Sequence, residues 1–518
     1  MRSNLLRTGR LAGSVAVLFF LGFCSLLPQA AWCASATRSL LSAPGQTVQA
    51  AQGEVPAAAQ GIKHVLLITI DGAHAFDILD YIKSHPQSAL AKLNSTGVFY
   101  KNAYSSMPSD SFPATMAIIT GGGPVISGIW YQLSYYRNLS PPGSDCSKTG
   151  TPVALDSSID INPNETWGGG GFDKAKLPRN PKDGCSPVYP HQLLRVNTIF
   201  DVIKQAGMYT AFSDKQMSMD LEQGRTGHAI DDFFSPESSV HYSGIPGKKA
   251  FDAWRTKAVV NWISGKNATG TKSAPVPAIM GVSFEVVDDG EKAAGAGWTN
   301  SSGTPSAVLT QTLDDDDANI GKIVDALNSA DLLQSTAIII GSRHGQSPVD
   351  IGGLRKISPK VMDDAVNAVS PGLVAFSTGD DIYLYWLTDQ SKTAEAVKAL
   401  EGVRKQAGIA RIFWGSALSA MWDSPKTDPE TPDIIVEPDL GVIYTRPNKP
   451  IVSEHGGLNL DDTHVFILVS NPRLQARTME THVQNAQLAP TIVKLLGLDP
   501  NALEAVRING TEVLPGLF

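Results

Sequence analysis

The chain has 518 residues, of which 42% are hydrophobic and 18% are charged, and its formal net charge is −8. This composition excludes a disordered chain and disfavours a nonspecific nucleic-acid binder, which is more often basic, so no nucleic-acid polymer is expected as a partner. The length allows one large domain or two to three smaller ones.

The first 36 residues have the parts of a cleavable signal peptide. The arginine-containing start MRSNLLRTGR precedes the apolar run LAGSVAVLFFLGFCSLL, and the small-residue sequence ASA follows at 34–36. The run is near the lower limit for spanning a bilayer and a cleavage site follows it, so we predict a secreted or periplasmic protein with no stable membrane span after cleavage. An uncleaved membrane anchor is the alternative.

Residues 37–60 contain many small residues and no sustained hydrophobic period, which predicts a linker. Beyond it two cysteines remain, Cys146 and Cys185. Two cysteines in an exported protein suggest one disulfide, and two free thiols are the alternative.

Buried strands alternate with helices from residue 61 onward, and we interpret 61–518 as one catalytic domain. The strand-like segments are KHVLLITIDG, MYTAFSDKQ, AIMGVSFEVV, STAIIIGS and THVFILVSNP; the helix-like ones are IFDVIKQAG, IGKIVDALNSADLL and LAPTIVKLLGL. Near-continuous apolar strands separated by helices predict an α/β fold with a mostly parallel sheet and helices on both faces.

Two stretches interrupt this alternation. Residues 133–195 are rich in loop-forming residues and contain both cysteines, and residues 350–450 carry their own strand-helix-strand pattern. We predict a loop-rich elaboration and a cap-like insertion. The acids DDDD at 314–317 precede a helical pattern, where they suit the helix dipole better than a calcium site.

Ligand-type side chains follow or precede several predicted strands. Asp71 ends the first strand, His344 in GSRHGQSP follows STAIIIGS, and His455 in VSEHGG precedes THVFILVSNP. Parallel sheets bind ligands at the carboxyl ends of their strands. Ser111 in SDSFPATM begins a helical pattern, where its oxygen suits either a helix N-cap or the binding of a phosphate-type anion.

The motifs IDG, SFPATMAIITGG, RHGQSP and EHGG, in this order, resemble the alkaline phosphatase superfamily, and most closely its type I phosphodiesterase and nucleotide pyrophosphatase branch. The resemblance covers roughly residues 61–518. It implies an alkaline-phosphatase-like three-layer α/β/α sandwich and two zinc ions flanking a Ser or Thr nucleophile. Carried over by position, Ser111 matches the nucleophile and belongs with Asp71 and His344 to the first metal site, and His455 matches a ligand of the second.

The chain departs from this family at three positions. Arg343 stands where the family has an aspartate, Val287 replaces a second aspartate, and Glu291 replaces a histidine but remains an oxygen ligand candidate. The adjacent Asp288 and Asp289 could replace the lost aspartate after a local shift, and a solvated loop pair is the alternative. A guanidinium cannot bind a metal. Arg343 could act in catalysis by holding phosphate, could pair with Asp71 and close the site, or could turn away to a loop carbonyl. We therefore expect zinc or another divalent ion at no more than one site per chain, or none.

The leading functional hypothesis is an exported hydrolase of phosphodiester or pyrophosphate bonds in a small phosphate ester or nucleotide-like substrate. Phe112, Tyr131 and Gln132 lie near the nucleophile in sequence and are candidate substrate contacts, with core packing as the alternative. A phosphomonoesterase or phosphonate hydrolase could use the same scaffold, since fold does not determine substrate. The competing hypothesis is a catalytically silent protein that binds a phosphate or sugar ligand.

Overall fold

The fold comes from a computed structural model that describes residues 61–166, 168–239 and 241–518. The predicted signal peptide and linker lie outside these residues. No helix in the described part of the chain is long and apolar enough to cross a membrane.

Strands and helices alternate along most of the described chain. The strands are β1 (His64–Ile70), β2 (Gly97–Tyr104), β3 (Leu133–Tyr136), β4 (Thr151–Ala154), β5 (Arg179–Asn180), β6 (Ser186–Pro187), β7 (Ala211–Phe212), β8 (Asp232–Phe233), β9 (Ile279–Phe284), β10 (Thr336–Gly341), β11 (Arg355–Ile357), β12 (Val374–Thr378), β13 (Tyr383–Leu387), β14 (Ile409–Trp414), β15 (Ile434–Pro438), β16 (Val442–Tyr444), β17 (His464–Ser470), β18 (Arg477–Met479) and β19 (Val483–Gln484). The α-helices are α1 (Ala75–Ser84), α2 (Ala89–Asn94), α3 (Ser111–Thr120), α4 (Pro124–Ser127), α5 (Ile199–Gln205), α6 (Gly244–Ile263), α7 (Val286–Lys292), α8 (Ala307–Ser329), α9 (Lys360–Asn367), α10 (Thr393–Gly402), α11 (Arg404–Ala407), α12 (Gly415–Ser419), α13 (Leu460–Thr463), α14 (Leu488–Leu495) and α15 (Glu504–Asn509).

The central sheet is mainly parallel. Its strand order is β18-β2-β17-β10-β1-β9, with β19 also pairing with β2. β1 runs parallel to both β9 and β10, whereas β17 runs antiparallel to β10 and to β2. The reversed direction of β17 matters for the site, because the residues that precede it lie at the same edge as the residues that follow β1 and β10.

Helices cover both faces of the sheet, as the sequence predicts. Val65 and Leu67 of β1 pack in one core with side chains of α3, α5 and α14. Leu66 and Ile68, which point the other way, pack in a second core with side chains of α1, α2, α6 and α8. Alternate side chains of a strand lie on opposite faces, so a strand buried on both faces must be apolar at every position. The fold is the three-layer α/β/α arrangement.

A smaller antiparallel sheet of order β12-β13-β15-β14 lies within the stretch 350–450. Helices α9 and α10 pack on it through apolar residues such as Met362 and Leu400. These elements agree with the strand-helix-strand pattern of that segment, and its role as a cap stays a prediction.

The acids at 314–317 were expected before a helix, but they lie in the middle of α8. Each has a different environment. Asp314 accepts a hydrogen bond from Tyr81 Oη at 2.8 Å, Asp315 pairs with Lys249 at 2.5 Å, and Asp317 accepts from the backbone N–H groups that begin α2. Asp316 faces the core, where burial raises its pKa well above the usual range. The helix starts earlier than its apolar period indicates because Ser306 caps it.

Cys146 and Cys185 form the predicted disulfide, with their Cα atoms 5.8 Å apart. The bridge closes a loop of low secondary-structure content within 133–195. A cross-link over this separation removes conformations from the unfolded chain and should contribute about 4 kcal/mol on the chain-entropy model.

We expect replacement of both cysteines, Cys146→Ser with Cys185→Ser, to lower the thermal midpoint, because the unfolded chain regains the entropy that the bridge removes. Calorimetry of the variant measures the change. The reduced wild-type protein is the control and should unfold at the same temperature as the double variant. An unchanged midpoint in both would contradict a stabilising disulfide.

Candidate active site

The segment after β10 carries Arg343 and His344, and main-chain hydrogen bonds hold it against the ends of neighbouring strands. Gly72 N–H donates to the His344 carbonyl at 3.1 Å, and Gly345 N–H donates to the Asp462 carbonyl at 2.7 Å. Asn485 Nδ2 donates to the Ser342 carbonyl at 2.8 Å. These contacts fix where the side chains of 343 and 344 point.

His455 reaches the same place by a short antiparallel bridge. Ser347 and Glu454 exchange two backbone hydrogen bonds, at 2.7 and 2.8 Å. The bridge brings the segment before β17 beside the segment after β10. As a result the His344 and His455 rings stack with centroids 3.7 Å apart. The two histidines lie together although 111 positions separate their numbers.

Ser111 is the first residue of α3 and lies beside His344. Its Oγ is 3.1 Å from His344 Nε2 and 3.1 Å from Lys215 Nζ. The helix cap is Asp110, whose carboxylate accepts from Phe112 N–H at 3.1 Å. Because Asp110 performs the capping, the hydroxyl of Ser111 is free to face the site.

Arg343 pairs with Asp71, the second of the three alternatives that the sequence leaves open. Its Nε donates to Asp71 Oδ1 at 2.6 Å and its Nη2 donates to Asp71 Oδ2. Its Nη1 donates to Asp214 Oδ2 at 3.0 Å and to Thr115 Oγ1 at 3.3 Å. Arg343 is 1% exposed. Two buried carboxylates thus engage the guanidinium, and a role for Arg343 in holding phosphate stays a prediction.

These charges decide the protonation of the site. Burial raises the pKa of Asp71, but Arg343 and Lys215 outweigh burial and hold that pKa well below its usual range. Burial lowers the pKa of His344 to about 3, against the opposing charge of Asp71. Burial also lowers the pKa of His455 well below its usual range, and the neighbouring His344 adds to the effect. Asp71 is thus ionised, and both imidazoles are neutral with a lone pair available.

Lys215 is a site residue that the sequence reasoning missed. Its Nζ lies 3.4 Å from Asp71 Oδ2 and 3.6 Å from Glu285 Oε1. It follows β7, which runs parallel alongside β9 through bridges at Thr210 and Ser213. A signal was present, because SDK directly follows the predicted strand MYTAFSDKQ, and polar residues at a strand's carboxyl end are candidates for a site.

Two groups among the described residues could hold a metal ion. One is Asp288, His344 and His455; the other is His74, Asp77 and Glu291. The first suits zinc, which binds imidazole nitrogen and carboxylate oxygen, and His455 Nδ1 is buried with no hydrogen-bond partner. The carboxylate of this first group is already paired, however, since Asp288 Oδ2 lies 3.1 Å from Lys292 Nζ. The Asp71 position fits an ion poorly, because Arg343 and Lys215 occupy its oxygens.

Glu291 does not join His455, contrary to the expectation from the sequence. On α7 the Val287 side chain packs in the core, Asp288 belongs to the histidine group, and Glu291 belongs to the other group. Both carboxyl oxygens of Glu291 are buried without a hydrogen-bond partner, and burial raises its pKa well above the usual range. Among the described residues, Glu291 thus belongs with His74 and Asp77 and not with His455. Gly72, at φ +89°, leaves space for the Glu291 side chain, because a Cβ on residue 72 would lie 2.1 Å from Glu291 Oε2.

The three candidate substrate contacts lie in different environments. Phe112 is 1% exposed and packs in the core beneath α3, so its ring offers no surface to a substrate. Tyr131 packs in an aromatic cluster. Its hydroxyl oxygen lies against Gly456, where an added Cβ would be only 2.0 Å from that oxygen. Gln132 N–H donates to Asp110 at 3.1 Å and its side-chain amide donates to Leu155. A substrate role for Tyr131 and Gln132 stays a prediction.

We expect Arg343→Met to lower the free energy of unfolding by about 3–5 kcal/mol, because it leaves Asp71 and Asp214 buried without their guanidinium. Chemical denaturation measures the loss. The matched control is Arg355→Met: Arg355 pairs with Asp439 at 2.9 Å, but both side chains are 49% exposed, so its loss should cost under about 1 kcal/mol. Equal losses in the two variants would contradict a stabilising role for the buried pair.

The chain is similar to a known protein family and to several solved structures. The family model for type I phosphodiesterase / nucleotide pyrophosphatase matches residues 65–458. Murine ectonucleotide pyrophosphatase/phosphodiesterase 5 superposes with a TM-score of 0.54 at 15% identity, covering 84% of this chain and 96% of that chain. An inactive variant of it, in complex with AMP, gives 0.55 at 15% identity, covering 85% and 96%. Alkaline phosphatase PafA gives 0.59 at 11% identity, also covering 85% and 96%.

No curated protein sequence matches the chain significantly. At these identities the solved structures support the fold alone. The family model, in contrast, spans more than half of the sequence and includes Asp71, Ser111, His344 and His455. The chain belongs to the type I phosphodiesterase / nucleotide pyrophosphatase family.

Proposed function

We propose that the protein is an exported hydrolase of phosphodiester or pyrophosphate bonds with Ser111 as the nucleophile. The observation that carries the proposal is the environment of the Ser111 hydroxyl, which lies 3.1 Å from a neutral imidazole and 3.1 Å from an ammonium group. The first can accept the serine proton, and the second stabilises the negative charge that follows. Family membership supplies the reaction class, the breaking of a phosphorus–oxygen bond.

His344 is arranged to receive the proton. Its Nδ1 lies 3.0 Å from the Gly345 carbonyl, an oxygen that can only accept, so Nδ1 carries the hydrogen. The lone pair is then on Nε2, which faces Ser111 Oγ. Burial keeps the ring neutral near pH 7. The positive end of the α3 dipole, on whose first residue Ser111 lies, favours the anionic phosphoryl group beside it.

The substrate class we infer is a small phosphate ester or nucleotide. The AMP complex of the murine relative supports a nucleotide for that protein. Tyr131 and Gln132 are the residues here that we expect to lie nearest a leaving group, because they follow the nucleophile helix in the chain. Export is inferred from the N-terminal signal pattern, and the disulfide supports it because such bonds persist in oxidising compartments.

Members of this family typically depend on divalent metal ions. We propose that this chain holds at most one, in the group Asp288, His344 and His455. An ion bound there would polarise a phosphoryl oxygen, but it would also take the His344 lone pair that otherwise accepts the serine proton, so it has no part in the serine activation proposed here. Arg343 and Lys215 neutralise the other position, at Asp71, with fixed charges of their own.

A catalytically silent phosphate-binding protein is the second candidate. The specific observation that favours it is the engagement of both Asp71 oxygens by Arg343, which removes a carboxylate that the family resemblance assigns to a metal ion. Hydrolysis of an aryl phosphodiester by the purified protein separates the two candidates, since a silent binder would retain the ligand and release no aryl alcohol.

We expect Ser111→Ala to abolish hydrolysis of bis(p-nitrophenyl) phosphate without lowering the thermal midpoint, because it deletes the attacking oxygen and leaves the Asp110 cap intact. Absorbance of released nitrophenol and calorimetry measure the two effects. Asp110→Ala is the contrasting variant and should cost about 1 kcal/mol of stability through the lost cap. Turnover of the Ser111→Ala variant at the wild-type rate would rule out the covalent mechanism.

We expect no more than one zinc ion per chain by elemental mass spectrometry, because one candidate group among the described residues combines two imidazoles with a carboxylate and Arg343 and Lys215 already engage the Asp71 oxygens. Asp288→Asn with His455→Ala should reduce bound zinc to background. His464→Ala is the control, since His464 Nε2 donates to the Lys101 carbonyl at 2.9 Å and His464 belongs to neither candidate group. Two tightly bound zinc ions would show that Arg343 does not displace a ligand position.

A further inference from the structure

Lys215 brings a fixed positive charge to the atom that would attack phosphorus. Its Nζ lies 3.1 Å from Ser111 Oγ and 3.4 Å from Asp71 Oδ2. The side chain is largely buried, at 16% exposed, and its third oxygen neighbour is Glu285 Oε1 at 3.6 Å. The ammonium thus contacts two oxygens that the family resemblance assigns to the first metal ion.

Asp71 has little capacity left for a metal ion. Its Oδ1 accepts from Arg343 Nε at 2.6 Å, and its Oδ2 accepts from Arg343 Nη2 and lies beside Lys215 Nζ. Arg343 cannot lose its proton at physiological pH. A divalent ion at the same oxygens would have to displace two cations of the chain itself, and it would repel them at close range.

A lysine also lies beside the acid of the second candidate ion position, the group of Asp288, His344 and His455. Lys292 Nζ lies 3.1 Å from Asp288 Oδ2 and 3.2 Å from Glu454 Oε2. Asp288 is the only carboxylate of the group that contains both stacked histidines. An ammonium therefore neutralises the acid at each of the two places where an ion would be expected.

We propose that Lys215 takes the place of a metal ion in activating Ser111, so that the nucleophile reacts without a divalent ion bound to it. This inference rests on the proposed hydrolase function and assigns Lys215 as a catalytic residue of that reaction. The unusual feature it explains is a lysine in contact with both the nucleophile and the first carboxylate of the site.

The reaction balances with groups of this chain and one water molecule. The Ser111 hydroxyl proton passes to His344 Nε2, the Oγ–phosphorus bond forms, and the bond from phosphorus to the leaving oxygen breaks. The leaving oxygen takes the proton from His344. Water then attacks the phosphoserine and gives a proton to His344 Nε2, and His344 passes that proton to Ser111 Oγ as the bond from Oγ to phosphorus breaks. The Lys215 ammonium, 3.1 Å from Ser111 Oγ, stabilises the charge on Oγ in both steps.

The first test compares Lys215→Met with Lys248→Met. Lys248 is the matched control because it pairs with Glu285 at 2.8 Å, is 15% exposed, and makes no contact with Ser111 in the described structure. With bis(p-nitrophenyl) phosphate, Lys215→Met should lower kcat by about 100-fold or more, as for the loss of one transition-state donor, with little change in KM. Lys248→Met should stay near wild type. Wild-type turnover in Lys215→Met would overturn the proposal.

The second test measures metal dependence. Wild-type protein treated with EDTA and freed of metal should keep its turnover, and added zinc should inhibit it, because zinc takes the His344 lone pair that accepts the serine proton. Calorimetric titration with zinc should show at least about 10-fold tighter binding to Lys215→Met than to wild type or Lys248→Met, because a cation beside the ligands is gone. Loss of turnover with EDTA and recovery with zinc would overturn the proposal.

The turnover assays and the zinc titration distinguish a failure of this inference from a failure of the proposed function. A wild-type protein that hydrolyses neither aryl phosphodiesters nor nucleotides would contradict the function. The zinc titration needs no turnover, so it tests the placement of Lys215 on its own. Equal zinc affinity in Lys215→Met and wild type would overturn the replacement of an ion by Lys215.

Discussion

The buried pair of Asp71 with Arg343 is the interaction on which the site depends. Asp71 follows β1, Arg343 follows β10, and Asp214, the second partner of Arg343, follows β7. One guanidinium therefore joins the ends of three strands. Buried charges are costly unless they are paired and fully hydrogen-bonded, so each of these groups requires the others to remain in place. The environment of Ser111 is built on this network, because Lys215 contacts both Asp71 and Ser111.

Strand direction explains why distant parts of the sequence meet here. The sheet is mainly parallel, and β17 is the reversed neighbour of β10. Residues after β10 and residues before β17 consequently lie at one edge, and the Ser347–Glu454 bridge fixes their register. Stacking of His344 on His455 follows from this arrangement. Had β17 run parallel, the segment containing His455 would lie at the opposite edge of the sheet.

Much of the fold could be predicted from the sequence, because strands buried on both faces are apolar at every position. KHVLLITI and THVFILVS are strands β1 and β17 for that reason. The meeting of Asp71, Ser111, His344 and His455 also follows from motif order and strand ends. The roles of Asp288 and Glu291 could not be read in this way, because they depend on which face of the short helix α7 is buried. Val287 takes the core position and thereby turns Asp288 toward the histidines. Lys215 was missed because one lysine after a two-residue strand resembles any loop lysine.

Arg343 also constrains how such a site could change over evolutionary time. An acid at 343 in the present surroundings would leave three carboxylates, at 71, 214 and 343, buried near one ammonium group. A single codon change toward a metal-binding sequence would thus pass through a poorly folded intermediate, unless the ion were bound as the chain folded. An acid at 343 is therefore compatible with these surroundings only together with a cation that neutralises the added carboxylate.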